Sequence, residues 1–468
     1  TRQKLHGRIA QALETDFEER ARAEPALLAE HFEKAGLIEP AVKYYKAAAK
    51  LSAARSALED AIHFQEKALK LIALLPEAST RDRLEVGLVA ALVPWLSLSR
   101  GYTHPSVRSA LEHARALPAM AADPIAQANV LGFSFATHQF AGEYATAAGY
   151  SEELAELGRK MKMPAIEAQG HANAAGAYFG LGRIHDALNS ADRALAIGDI
   201  ESVQAFVRMT GHDPVTNANA VRGWALFLTG YPDAALVLGQ EMLARARTLG
   251  LPIVSALAAS FGPPLVLRWR RQANALLAAC RAAAEVSDRY GYEDGRLLTS
   301  INTGIALCAL NRHDEGTALL QQGLATREKK GALVMAEWDY AELAAASIAA
   351  GRTADAAAAL ARAFDLMEKH DARIWEAELH RLKGELLLAE ITRHPDPLPQ
   401  GEREKEAEAC FNKALEVSRA QGAKSLELRA AMSLARLWQK QGRISEARDL
   451  LKPVYDWFTE GFDTPDLK

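Results

Sequence analysis

One local pattern recurs along this chain and limits its fold before any single residue is interpreted. A small residue is followed three positions later by an aromatic residue or leucine, then by a turn, then by an alanine-led helix. The clearest copy runs Ala175, Tyr178, Gly182, Ala187, Ala191, Ala194; others are Ala29, Phe32, Gly36, Ala41, Tyr45, Ala48 and Ala435, Trp438, Gly442, Ala447, Leu451. Small side chains let two helices approach closely, and the bulky one fills the gap beside them. The turn residue leaves the first helix through a backbone conformation that glycine tolerates best. Such a hairpin cannot bury its own apolar face and must stack on its neighbours. A stack of this kind is a surface first, which points to binding rather than chemistry.

The turn slot falls at Gly36, Ser56, Gly142, Gly182, Gly230, Arg271, Asn311, Gly351 and Gly442, and a further unit surrounds Ala407, Phe411 and Ala414. From Gly182 the successive steps are 48, 41, 40 and 40 residues. The pattern resembles tetratricopeptide repeats, whose plain period is about 34 residues, with roughly one extra helical turn per unit. The expected fold is therefore all-α, an open right-handed superhelix of about ten tetratricopeptide-like helix-turn-helix repeats. Residues 1–75 form an N-terminal helical lobe, 76–124 an irregular helical connector marked by Pro76, Pro94, Pro105 and Pro118, and 125–468 the main array. Two stretches break the period: Gly198 to Pro214, and Ile391 to Glu404, whose Pro395, Pro397 and Pro399 predict an exposed loop. In the fifth array unit Pro264 occupies the small slot, so the helix there is expected to bend.

Net charge is -4 with both signs interleaved, which gives no basic face for nucleic acid. Cys280, Cys308 and Cys410 are sparse and in no metal-ligand spacing, which favours reduced thiols and a cytoplasmic location. The uncharged stretch Thr248 to Leu267 reads as buried repeat helix, because Pro252 and Gly262-Pro263-Pro264 interrupt any membrane span; no membrane partner is expected. The sequence opens in mid-helix on Thr1-Arg-Gln-Lys-Leu-His-Gly-Arg-Ile, without methionine or signal peptide, as a piece of a longer protein would.

A more specific resemblance lies toward the C-terminus. Ala377-Glu-Leu-His-Arg-Leu-Lys-Gly-Glu-Leu-Leu-Leu, Glu406-Ala-Glu-Ala-Cys-Phe, the helix from Ala423 to Trp438 and Trp457-Phe-Thr-Glu-Gly-Phe-Asp-Thr resemble the C-terminal region of bacterial multidomain signalling proteins. In those proteins a class III adenylate/guanylate cyclase or a DNA-binding domain precedes a P-loop ATPase and then a helical array. Leu5-His-Gly-Arg-Ile-Ala, Leu27 through Gly36, His212-Asp-Pro and Trp224 through Leu236 are similar to segments of the same family. The resemblance implies a regulatory sensor array whose partners are upstream ATPase or cyclase domains and a protein, peptide or small-molecule effector. This chain has no phosphate loop and no placeable cyclase aspartate pair, so neither upstream activity belongs to it.

Among candidates for chemistry, Glu18-Glu19, Glu152-Glu153 and Glu402 to Glu408 read as solvated helix faces. Glu376 and His380 stand one turn apart without a third ligand, so no metal and no cofactor is expected. No nucleophile elbow or paired Cys/His arrangement appears, and no catalytic residue is assigned. The polar cluster Arg208, His212, Asp213, Asn217, Asn219, Arg222 and Trp224 has two readings. Asp213-Pro214 is a plausible helix start, with aspartate as cap and proline in the first turn. Alternatively, the cluster lines a ligand or partner pocket on the inner wall. Because the first helix of each pair faces the groove in tetratricopeptide arrays, His138, His171, Asn173, Tyr178, Asn302, Trp338 and Tyr340 complete the candidates, each with core packing as the competing role. A passive scaffold and an α/α-toroid enzyme are the alternative functions; ten units exceed the six hairpins of a toroid. The apolar group Val454, Tyr455, Trp457 and Phe458 is expected to lack a polar cap.

Overall fold

In the computed structural model, residues 2–75, 77–197, 200–210, 213–391 and 400–468 are described. They are helical throughout, with no strand among them. Two compact units divide the chain.

The first unit holds residues 1–137 together with 289–293. It contains α1 (Arg2–Asp16), α2 (Glu18–Ala23), α3 (Pro25–Lys34), α4 (Ile38–Ala54), α5 (Leu58–Ile72), α6 (Ala78–Arg100), α7 (Pro105–Ala116) and most of α8 (Pro124–Phe140). Its core joins Leu28, Phe32, Val42, Tyr45, Ile72 and Leu88. Leu88 is on α6, so the stretch expected as a connector contributes to the core of this unit. Pro94 lies inside the 23-residue α6 without ending it. The compact unit thus extends beyond the expected boundaries at 75 and 124.

The second unit, 138–288 and 294–468, contains the hairpins of the array. After the end of α8 come α9 (Tyr144–Met161), α10 (Pro164–Gly180), α11 (Ile184–Ile197), α12 (Ile200–Thr210), α13 (Pro214–Leu228) and α14 (Pro232–Leu249). They are followed by α15 (Pro252–Phe261), α16 (Pro263–Trp269), α17 (Ala273–Tyr290), α18 (Glu293–Ala309), α19 (His313–Lys330), α20 (Ala336–Ala349) and α21 (Thr353–His370). The series closes with α22 (Glu376–Ile391), α23 (Gln400–Gln421), α24 (Lys424–Lys440) and α25 (Ile444–Tyr455). Sequential helices pack pairwise, α9 on α10, α10 on α11, α13 on α14, α20 on α21 and α22 on α23.

Two families of left-handed residues set this rhythm. All nine turn slots read from the sequence have positive φ, from Arg271 at 54° to Gly230 at 101°. A second set, Lys162, Gly250, Gly331, Asp371 and Gly422, ends the second helix of a pair and releases the chain to the next hairpin. Close approach depends on glycine at Gly304 of α18 and Gly316 of α19. A Cβ on Gly316 would stand 2.6 Å from the Gly304 carbonyl oxygen and 2.7 Å from the Cys308 backbone nitrogen.

The bend expected at Pro264 is a complete break. α15 ends at Phe261 and α16 begins at Pro263, with Gly262 between them at φ -82° and ψ -115°. The interruption leaves the uncharged stretch as two short helices. No described helix is long and apolar enough to cross a membrane. Of the two period breaks, Gly198 to Pro214 holds the added helix α12. The proline-rich loop expected at 391–404 falls mostly on 392–399, outside the described residues, and 400–404 is already the first turn of α23.

Within the second unit, inner faces of hairpins distant in sequence meet. Phe179, Trp224, Trp269, Trp375 and Trp338 form a continuous aromatic chain with centroid separations between 4.1 and 6.5 Å. Trp269 and Trp375 are fully buried. The segment after α25 is fastened to an earlier hairpin. Glu460 accepts from the Asp233 and Ala234 amides at 2.8 and 3.0 Å, capping the start of α14, and the Gly461 amide donates to Asp233 at 3.0 Å. Asp463 accepts from Arg270 at 2.9 Å and from Gln272 at 3.0 Å. Val454 and Phe458 are buried in the core of the last hairpins, while Tyr455 and Trp457 stay exposed.

Candidate functional site

First helices of four consecutive hairpins, α16, α18, α20 and α22, surround a cavity of about 410 Å³. Its charged wall residues are Arg268, Arg271, Glu342, Arg381 and Glu385, with the imidazole of His313 beside them. These side chains converge because one face of each first helix points inward and the repeat brings that face back with every hairpin.

Arg268, near the end of α16, has a side chain only 3% exposed. Its Nη1 donates to Asp339 Oδ1 at 2.7 Å and to Asn302 Oδ1 at 3.3 Å. The guanidinium lies 5.4 Å from the Trp338 ring centroid. Asp339 is shared, since Arg327 Nη1 bonds its other oxygen, while the rest of Arg327 is held by the carbonyls of Ala332 and Val334. Arg268 Nε and Nη2 are buried and make no hydrogen bond. Glu342 Oε1 is 3.6 Å from Nε, an ion pair beyond hydrogen-bonding reach.

The opposite wall is built on α22. Arg381 grips Glu378 through two parallel bonds of 2.9 and 2.8 Å and reaches Glu385 at 3.3 Å, and Ser433 donates to Glu385 at 2.6 Å. Burial alone would raise the Glu378 pKa, but Arg381, Arg429 and Arg271 outweigh it and hold the carboxyl at about 2. Arg429 also binds Asp466 at 2.7 Å and the Trp269 carbonyl at 2.7 Å. Arg271 is half-exposed, sits in the left-handed turn at φ 54° and pairs with Asp466 at 3.3 Å. The like charge of Arg429 depresses its pKa. Burial pushes the Cys308 thiol on the cavity wall up to about 11, so it is a poor nucleophile.

The sequence candidates are distributed around this cavity and away from it. Asn302 and Trp338 support Arg268, but both are buried, so they position the guanidinium and present little surface to a groove. Asn173 is also buried, bonded to Gln169 at 2.7 Å. Trp224 is a core residue whose indole donates to the Phe261 carbonyl at 3.0 Å. Of the two roles the sequence allows these four side chains, wall or core, they take the core.

Asp213 caps α13, accepting from the Thr216 amide at 3.2 Å, and receives Arg245 through bonds of 2.6 and 2.8 Å. Its capping role satisfies the helix start. Arg222 pairs with Asp192 at 3.3 Å, and Asn217 is half-buried on the same helix. His212 and the Arg208 side chain lie outside the described residues. His138 pairs with Glu143 and stacks on Tyr150. Tyr340 donates to Glu328 at 2.8 Å, and burial followed by that carboxylate raises the phenol to about 12.

His171 and Tyr178 meet in a second cavity of about 450 Å³ formed by α9, α10 and α11. Tyr178 donates to Glu152 at 3.1 Å beneath Arg183, whose guanidinium lies 4.4 Å from the ring centroid. Burial lowers the His171 pKa, favouring the neutral ring.

No family model matches this chain. An uncharacterized protein of Rhizobium meliloti (strain 1021) is 25% identical over 457 residues, covering 94% of this chain and 42% of that protein. The chain therefore spans less than half the length of the curated relative it matches. Among solved structures, the APC/C hetero-tetramer Cut9-Hcn1 shares 12% identity at a TM-score of 0.48, covering 97% of this chain and 84% of that one. A Rap protein complexed with competence and sporulation factor shares 11% identity at a TM-score of 0.40, covering 89% of this chain and 97% of that one.

The sequence reading missed Arg268 and Arg381, because an arginine on a repeat helix ordinarily reads as part of a solvated face. A signal was present in Arg268-Trp-Arg-Arg271, which places three cations at the end of the longest uncharged stretch.

Proposed function

We propose that this chain is a non-catalytic regulatory binding array whose inner cavity receives an effector and thereby biases domains attached to it. The carrying observation is the convergence of α16, α18, α20 and α22 on one cavity walled by Arg268, Arg271, Glu342, Arg381 and Glu385. Arg381 and Arg429 are committed to structural carboxylates, so the cavity offers recognition groups more readily than an acid and base pair.

The attached domains in this proposal are an ATPase and a nucleotide cyclase or DNA-binding domain, as in the signalling proteins whose C-terminal motifs this sequence resembles. The Rhizobium meliloti relative is more than twice as long as the segment it shares, which leaves it room for such domains. Free thiols at Cys280, Cys308 and Cys410 support a reducing, cytoplasmic setting. A passive scaffold fits less well, since a flat groove would suffice for it.

A thermal-shift screen of the 468-residue chain against nucleotides, sugars, amino acids and cell-extract fractions tests the reading, because a ligand of the native state alone raises the melting temperature by mass action. A companion experiment joins the array to its upstream domains. Activity that ignores both the effector and deletion of the array would refute the regulatory role.

A further inference from the structure

The first unit contains a side-chain pair unrelated to the cavity. His6 on α1 and His31 on α3 are both half-buried, and their Nδ1 atoms stand 3.0 Å apart. The ring centroids are 5.1 Å apart, close to that distance plus the depth of both rings, so the two nitrogens meet head-on. A neutral imidazole presents one donor and one acceptor, whereas a protonated one presents donors only. The contact therefore holds a single proton between its two nitrogens. It survives with both rings neutral or with one protonated. It fails when both are protonated, because two N–H groups then face each other and two like charges stand at contact distance.

Little else holds this half of α1. Ala10 is the one buried residue of the helix, and Gln3 adds an exposed bond of 3.0 Å to the Ala35 carbonyl. The other end of α1 is fixed separately. Glu14 accepts from Tyr44 at 2.7 Å and from Lys43 at 3.1 Å on α4, and those bonds hold its carboxyl below the ordinary carboxylate range. The remaining acids of the neighbouring helices are engaged elsewhere, Glu30 with Lys34 at 3.4 Å, Glu33 with Tyr45 and, on α2, Glu18 with Arg22 at 2.8 Å. On α1 itself Arg2, Lys4 and Arg8 are exposed and positive. Burial, then the His6 ring, then Lys34 lower the His31 pKa, with Glu30 opposing them.

We propose that the His6–His31 pair is a pH-sensitive clasp, which docks the first half of α1 on α3 near neutral pH and releases it on acidification while Glu14 keeps the other end attached. The sign follows from the proton count. The released state binds both protons and the clasped state only one, so docking is complete above the ordinary histidine value of about 6.5 and weakens as pH falls below it. Glu14 stays ionised over that range, which confines the opening to residues 2–9. The clasp lies in the helical lobe and does not depend on whether the cavity binds an effector.

Hydrogen–deuterium exchange of the 468-residue chain, corrected for the intrinsic pH dependence of amide exchange, tests the proposal. Protection of residues 2–9 is expected to fall by about tenfold or more between about pH 7.5 and about pH 5, with α4 unchanged. His6→Asn keeps a polar atom at the Nδ1 position without a titrating ring, so α1 should stay protected at both pH values. His31→Asn should act in the same way from the opposite helix. In an NMR titration the His31 ring should titrate below about 6.5 in the parent and closer to that value in His6→Asn. Protection that ignores pH, an equal fall in parent and variants, or a His31 titration unchanged by His6→Asn overturns the proposal. Should either variant leave α1 unprotected already at neutral pH, the parent decides alone. His31 titrating at or above the ordinary value then overturns the clasp, and titrating below it together with the loss of protection supports it.

Discussion

Arg268 and Arg327, 59 residues apart in sequence, hold opposite oxygens of the same buried carboxylate, Asp339. The arrangement ties α16 to α19 and α20, so it spans three hairpins with one acid. Removing the charge of that acid leaves two buried guanidinium groups with inadequate compensation. Asp339→Asn is expected to cost about 3–5 kcal/mol, the range seen when one partner of a buried pair is lost. Urea unfolding followed by circular dichroism measures it, and a loss below about 1 kcal/mol would show that the pair is not structural.

Two buried carboxyls give the protein opposing responses to pH. Burial raises Glu337 from 4.5 to about 8, with Asp339 adding to the effect. The folded state then holds a proton that the unfolded state releases, so this contribution is complete below pH 4.5 and is lost as pH rises toward about 8. Glu378, held at about 2, contributes above pH 4.5 and loses that contribution as pH falls through about 2. Melting temperatures measured from pH 4.5 to 8.5 should therefore fall less steeply in Glu337→Gln than in the parent. Identical slopes would remove Glu337 as the source.

The contact between α18 and α19 tolerates little added volume. Gly316→Ala places a methyl 2.4 Å from Cys308 Sγ and 2.6 Å from a backbone carbonyl, so backbone must move. A loss of about 1–3 kcal/mol is expected, as for other overpacked sites, measured by denaturant unfolding. Gly331→Ala meets no atom within 4 Å, and its cost should be confined to the left-handed backbone.

Most of the fold was legible because it is written in short-range geometry. Gly36, Gly142 and Gly182 mark left-handed turns through their own chemistry, and Ser56, Arg271 and Asn311 could be placed by their spacing. The second set of turns was not read, although Gly250, Gly331 and Gly422 carry the same glycine signal; Lys162 and Asp371 do not. The cavity was not legible, because it is assembled from residues such as Arg268 and Arg381, 113 positions apart, whose neighbours are fixed only by stacking. For the same reason the sequence leaves wall and core both open for Trp224 and Trp338, with core the stronger reading, and in the fold they are core.

Arg271 occupies a turn slot that glycine usually fills, at φ 54°. Left-handed backbone costs a residue with a Cβ about 1 kcal/mol relative to glycine. Arg271→Gly should therefore be more stable than Arg271→Ala by about that amount, although both lose the bond to Asp466. Equal unfolding midpoints would mean that the turn relaxes to accommodate the side chain.

Glu460 at the start of α14 changes how such an array can come apart. Repeats that touch only their sequence neighbours fray from their ends, one unit at a time. Here residues 460–466 fasten to hairpins some 190 to 230 positions earlier. Losing that clasp would loosen the middle of the series together with its last unit. Melting should be shared by the hairpins between the fastened points, and their assembly slowed by the long stretch of chain that must be gathered first.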